Sequence, residues 1–252
     1  MAFEAVIFDL DGVITDTAKV HALAWKRLFD EYLTTINSPC KLFDIDIDYL
    51  NYVDGKPRYE GVASFLKSRN ISIPFGNYSE EPNYNTVCGL GNQKDRIFNL
   101  ILDKEGVGIF ESTIILIREL LINGVKCGVA SSSKNCKKIL NIIGIEDLFE
   151  IRVDGVVSVS LNLKGKPFPD IFLKCAELMK VSNLKTIIVE DAVSGVQAGR
   201  AGEFGLVIGI GRGDNSIELK NNGADIVVKD LCELSVLKIN ELFVKHNIGN
   251  RK

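Results

Sequence analysis

The sequence predicts an α/β fold, a parallel helix-flanked sheet whose first strand is followed by an inserted helical module. Three observations lead there. Short, near-continuous apolar runs rich in Val and Ile recur along the 252 residues, as strands covered on both faces require. Amphipathic stretches separate these runs, and strands alternating with helices imply parallel pairing. The alternation lapses over residues 18–107, where helical periodicities and turn formers replace any convincing buried strand.

The first strand is EAVIFDL, from Glu4 to Leu10. AKVHALAWKRLFDEYL then has helical spacing, with His21, Trp25 and Leu28 on one side. EGVASFLKSRN and KDRIFNLILDKEG read as further helices. Between them, ISIPFGNYSEEPNYNT holds two prolines and several turn formers and reads as loop. These segments form a helical cap over residues 18–107, and residues 1–17 and 108–252 form the core domain. In the core, GVKCGVAS, KTIIVED, GLVIGIG and ADIVVKDL are the later strands. TIILIRELLIN and DIFLKCAELMKV are amphipathic helices between them.

Composition excludes several classes. A hydrophobic share of 46% with 25% charged residues is that of a soluble globular chain. The net charge is −3 and no basic stripe is visible, which argues against a nucleic-acid partner. No apolar run is long enough for a membrane span, and the opening MAFEAVIFDL lacks a basic signal region. The expectation is a cytoplasmic protein. Six cysteines form no C-x-x-C pair, as expected of reduced thiols, and two histidines are too few for a histidine-rich metal site.

The chemistry-bearing residues gather at strand ends. Asp9 and Asp11, two apart, lie just past the first strand, where open α/β sheets bind ligands, and Gly12 lets the chain turn away. Neighbouring carboxylates repel unless a cation lies between them or a proton is shared. Alone, such a turn with both side chains in water is the simpler reading. The second strand, however, ends ASSSKN, whose hydroxyls and N–H groups at the start of a helix suit an anion. GKPFPD follows, with Lys166 held in extended backbone before a proline. The third strand ends VEDAVSG, with Glu190 and Asp191. Acids, hydroxyls, a lysine and acids again, on one sheet edge, are what a metal-bound phosphate needs.

The stretches DLDGVITDT, SSSKN, GKPFPD and VEDAVSG, in that order, resemble the four motifs of the haloacid dehalogenase superfamily. Within it the chain is most similar to the β-phosphoglucomutase branch, which shares the long form DGVITDT, the histidine four residues after its final threonine, and a helical cap inserted after strand one. The resemblance implies the Rossmann-like core of that superfamily and an aspartyl-phosphate mechanism. Asp9 is then the nucleophile and Asp11 the general acid and base. Mg²⁺ is held by Asp9, the backbone carbonyl of Asp11 and Asp191, with Glu190 close behind. Ser131, Asn135 and Lys166 hold the transferring phosphoryl, mostly by neutralising and aligning charge. In the cap, Thr17 and His21 match hinge positions, Arg58 in VDGKPRYEG matches an arginine that grips a distal phosphate, and Lys94 matches a second cation.

Most departures from the branch lie in the cap; in the core, Glu111-Ser112 stands where many relatives have Pro-Gly, and Ala192 replaces a small polar residue. Tyr59-Glu60-Gly61 stands where acidic residues and a serine are common, the following stretch is longer, and CGLGN is unusual. They leave the phosphoryl centre untouched and bear on the choice of sugar. The resemblance implies a sugar-phosphate mutase, converting β-glucose 1-phosphate to glucose 6-phosphate. The alternatives are a sugar-phosphate phosphatase with the same centre, acting for example on a disaccharide phosphate, and an inactive binding protein, which the presence of Asp9, Asp11 and Lys166 disfavours. By analogy of fold, the expected state is a monomer.

Overall fold

The computed structural model describes residues 1–53, 56, 58–213 and 215–249. It divides into two compact units, Met1–Asp16 with Gly108–Lys252, and Thr17–Val107. Of the VDGKPRYEG stretch, Asp54, Gly55 and Pro57 lie outside the described residues.

The first unit opens with β1 (Ala5–Phe8) and the two-residue β2 (Thr15–Asp16). The helices α1 (Ala18–Thr35), α2 (Arg58–Ser68) and α3 (Val87–Glu105) belong to the second unit. The chain then re-enters the first unit through β3 (Gly108–Ile109) and α4 (Glu111–Ile122). It continues through β4 (Lys126–Ala130), α5 (Cys136–Ile142), β5 (Ile151–Val153), α6 (Gly155–Ser160) and α7 (Asp170–Met179). β6 (Thr186–Glu190), α8 (Val193–Ala201), β7 (Leu206–Ile210), α9 (Ser216–Asn221), β8 (Ile226–Val228) and α10 (Val236–Gly249) complete it.

Six strands form one parallel sheet in the order β5-β4-β1-β6-β7-β8. β1, β6 and β7 are buried along their whole length, which is why their sequences are continuous apolar runs without alternation. On one face Ala5 and Ile7 join Ile188, Val207, Phe172 and Met179 in a single apolar cluster. Val6 and Phe8 are buried as well, with side chains pointing to the opposite face of the sheet. The reading from sequence lacked β5. That strand is three residues long, carries Arg152, and is only partly buried at Ile151 and Arg152, so it has no apolar run to find.

The connectivity places the site. From β1 the chain moves outward to β4 and β5, then returns to the other flank at β6. The direction reverses at β1, and in open parallel sheets ligands bind at the carboxyl edge of such a switch point. The returning chain is pinned beside β1's exit loop. Thr15 pairs with Ile109 across the antiparallel β2–β3 ribbon, the Phe110 N–H donates to Ile14 O at 2.9 Å, and the Thr113 hydroxyl donates to Val13 O at 2.7 Å.

The helical unit has an aromatic core. Phe29 of α1 stacks on Phe65 of α2 with centroids 3.9 Å apart, and Trp25 and Phe43 each lie 5.3 Å from Phe29. Large buried rings each contribute a large apolar area to so small a unit. α3 begins at Val87, seven residues before the helical pattern recognised at Lys94. The Thr86 side chain caps it by accepting the Gly89 N–H. Thr17, read from sequence as the last core residue, groups with the helical unit as the N-cap residue of α1. Four of the six free cysteines (Cys88, Cys127, Cys136 and Cys175) are buried. No helix among the described residues is long and apolar enough to cross a membrane.

Candidate active site

Strand register brings the acids together. Phe8 pairs with Val129 on one side and Val189 on the other, so Asp9 continues beside Ala130 and Glu190. The Asp9 N–H still donates to Val189 O at 3.0 Å, which fixes its backbone as a strand end. Beyond it the chain turns tightly. Gly12 has φ +83° and donates its N–H to Thr15 O at 2.8 Å. A Cβ on Gly12 would lie 1.8 Å from Asp191 Oδ2, so only glycine both makes this turn and lets the Asp191 carboxylate lie against it.

Lys166 reaches into this cluster from the loop before α7. Its ammonium donates to Asp9 Oδ1 and, at 2.5 Å, to Glu190 Oε1. The three side chains are almost fully buried. Glu190 has no oxygen to spare, because its Oε2 accepts the N–H groups of Asp191 and Ala192 at 2.8 and 2.9 Å. Burial alone would pull Lys166 down, but Asp9 and Glu190 more than reverse that and hold it above the ordinary lysine range. Burial raises Asp9 well above the usual carboxylate range; Lys166 opposes this, while Glu190, Asp11 and Asp191 add to it. Asp191 is pushed up to about 8, by burial first and then by Glu190. Four carboxylates thus share this edge with two cations, Lys166 in contact with Asp9 and Glu190 and Arg212 acting on Asp191, so the cluster is short of positive charge.

Among the described residues no three His, Cys, Asp or Glu side chains are grouped so as to hold a metal between them. Lys166 accounts for part of this, since it lies between two of the acids read as metal-binding, Asp9 and Glu190. Ser131, fully buried, follows β4, and its Oγ accepts the Ser133 N–H at 3.0 Å. Asn135 precedes α5 and is half-buried. The next residue, Cys136, has its thiol pushed up by burial and then by Asp11, Asp154 and Asp9, so this turn lies within the field of the acids.

In the helical unit, Lys94 and His21 meet. Lys94 Nζ lies 2.6 Å from His21 Nδ1 and within 5.1 and 4.8 Å of the Trp25 and Phe98 ring centroids. With an ammonium as neighbour, Nδ1 accepts and the ring proton sits on Nε2. Burial, then Lys94, then Arg58 lower the His21 pKa well below 6.5. Folding therefore excludes a proton that the unfolded chain binds below pH 6.5, and stability present above that pH is lost as pH falls toward the folded value. Thermal melts of the parent and His21→Gln should show the parent's advantage shrinking between about pH 6.5 and 5. A constant difference would mean the imidazole is not held neutral. Arg58 pairs with Asp95, Nη2 to Oδ1 at 2.7 Å. Thr17 O accepts the His21 N–H at 2.9 Å.

Sequence reasoning missed Arg212, in the loop after β7. Its guanidinium stacks 3.4 Å over the Phe110 ring and donates to Gly12 O, while Asn215 donates to Asp191 O at 3.3 Å. The signal was available: GRGDN leaves the carboxyl end of a central strand, the edge on which every other motif falls.

A family model for haloacid dehalogenase-like hydrolases matches residues 3–202. A β-phosphoglucomutase of Mycobacterium bovis is 43% identical over 237 residues, 91% of this chain and 90% of that protein. The β-phosphoglucomutase of Bacillus subtilis is 33% identical over 97% of each chain. A crystal structure of β-phosphoglucomutase from Clostridium difficile superposes with a TM-score of 0.77 at 28% identity, covering 98% of this chain and 99% of that one. With the motif-bearing edge of its sheet now described, the chain belongs to the haloacid dehalogenase-like hydrolases, in the branch that contains the β-phosphoglucomutases.

Proposed function

We propose that the chain is a Mg²⁺-dependent β-phosphoglucomutase, converting β-glucose 1-phosphate to glucose 6-phosphate through a sugar bisphosphate, with Asp9 carrying the phosphoryl group. The observation that carries this reading is the buried Asp9–Lys166–Glu190 chain at the carboxyl edge of the sheet. A carboxylate held there in contact with an ammonium can approach an anionic phosphate, because that cation also offsets the phosphoryl oxygens.

In the first half-reaction an Asp9 oxygen bonds to phosphorus as the bond from phosphorus to the sugar oxygen breaks, and Asp11 gives that oxygen its proton. In the second, a hydroxyl of the sugar monophosphate attacks the same phosphorus, the bond to Asp9 breaks, and Asp11 takes the hydroxyl proton. Both steps follow from one acid–base group serving two directions. Ser131 and Asn135 orient the phosphoryl oxygens. Arg58 takes the far phosphate of the bisphosphate, and His21 with Lys94 positions the sugar.

The residues fit Mg²⁺. This ion takes one or two carboxylates with substrate phosphate and keeps several waters, so it needs no cluster of three acids. Asp9, Asp191 and the Asp11 carbonyl would hold it, with Glu190 fixing Asp191 through its backbone N–H. The shortage of positive charge and the Asp191 carboxylate seated against Gly12 both favour a cation there. Bound, it would neutralise charge on the transferring group.

The test supplies β-glucose 1-phosphate, a trace of glucose 1,6-bisphosphate and Mg²⁺. Glucose 6-phosphate without matching release of phosphate is expected. Free phosphate as the sole product would overturn the mutase reading and leave a phosphatase using the same centre.

A further inference from the structure

We infer that Gly91, Asn92 and Asp95 of α3 form a seat that presets the Arg58 guanidinium for the far phosphate of a sugar bisphosphate. The inference rests on the role proposed above for Arg58 and adds the residues through which that role is set. An arginine side chain is long, and much rotamer entropy is at stake when it is fixed. Fixing it before the ligand arrives removes part of that loss from binding.

Each seat residue has a contact that explains it. Gly91 lies inside a nineteen-residue helix, where glycine is less favourable than alanine. It needs no unusual backbone angle; what it provides is space. A Cβ there would come within 2.6 Å of Tyr59 Cδ1 and 3.4 Å of Arg58 Cδ. Asn92 accepts the Tyr59 hydroxyl at 2.8 Å and donates to Glu80 O at 2.8 Å, tying the long loop before α3 to the same place. The Tyr59 ring, held at both ends, lies 5.9 Å from the Arg58 guanidinium carbon. Asp95, one turn beyond Gly91 and so on the same face, accepts Arg58 Nη2 at 2.7 Å. A guanidinium has five N–H donors in a planar fork, so this one contact holds its end in place and leaves donors for a phosphate. The departures at Tyr59 and in CGLGN are thereby parts of one device.

The opposite reading makes Asp95 a competitor that phosphate must displace, and the two differ in sign. Arg58→Ala is measured first, and its affinity for glucose 1,6-bisphosphate should fall about 100-fold, with hydrolysis of an aryl phosphate falling far less. Parental affinity in that variant would sink the role of Arg58 itself. With that role intact, Asp95→Ala and Gly91→Ala should each raise the bisphosphate activation constant about tenfold, leaving kcat nearly in place. Asp95→Asn keeps the acceptor oxygen and should stay within about threefold of the parent. Unchanged or tighter bisphosphate binding in Asp95→Ala would overturn the seat, as would an Asp95→Asn loss equal to that of alanine. The two Asp95 variants, at the half-exposed end of the seat, decide the matter even if Gly91→Ala does not fold.

Discussion

Asp9→Asn should lose turnover by on the order of 10⁴-fold or more, about 5.5 kcal/mol of transition-state stabilisation, and should gain rather than lose thermal stability at neutral pH. The first part follows from chemistry. An amide of the same shape has no charged oxygen to bond to phosphorus, and among the described residues the other carboxylate in contact with Lys166 is Glu190, whose oxygens are both engaged. The second part follows from burial. The Asp9 pKa is raised on folding, so the native state takes up a proton relative to the unfolded chain. Below the ordinary carboxylate pKa both states are protonated and there is no penalty; the penalty grows as pH rises toward the folded value. Asparagine removes that term, while its oxygen still accepts from Lys166. The melting temperature should therefore exceed the parent's at pH 7.5, by less at pH 5. Covalent phosphate labelling should vanish. Persistent label would place the nucleophile elsewhere, and a melting temperature well below the parent's would mean that inactivity reports damage to the fold.

Much of this centre was legible in the sequence because strand ends and turn residues carry local signals. Asp9, Glu190 and Asp191 each end an apolar run, and a parallel sheet puts the ends of adjacent strands side by side. Lys166 was visible only through its motif, since nothing local reveals that a loop residue 157 positions from Asp9 will touch it. The unread parts are those whose cause is tertiary. β5 is held by pairing with β4 and not by apolar composition. The start of α3 looks like a break because Gly89 and Gly91 answer to neighbours, Asn83 and Tyr59, that arrive from other segments. Arg212 reads as a loop cation until Phe110 and Gly12 are seen against it. Glycines that serve close approach and glycines that serve turns look alike in one sequence, and coordinates separate them.

Lys166→Met should abolish activity, by about 10³-fold or more, and should also destabilise the protein by roughly 3–5 kcal/mol at pH 8, since it leaves buried carboxylates without their cation. Methionine keeps the length and apolar stem, including the packing of the side chain end against the Phe172 ring 4.9 Å away. What is lost is one charge between Asp9 and Glu190. Glu190 retains two backbone N–H donors at 2.8 and 2.9 Å, whereas Asp9, already raised by burial, loses its ammonium partner. The compensating proton should accordingly go to Asp9, and the stability deficit should shrink as pH is lowered from 8 to 5.5. Adding Glu190→Gln should then recover a substantial part of the stability with no activity, because the remaining acid faces a neutral partner; adjacent groups sharing a charge couple by about 0.5–3 kcal/mol. Melts of the two variants across that pH range separate charge from packing. A deficit that ignores pH, or a double variant no more stable than the single one, would mean that the ammonium fills space in the cluster and does not balance its charge, and a phosphoryl oxygen entering beside Asp9 would then find no cation prepared for it.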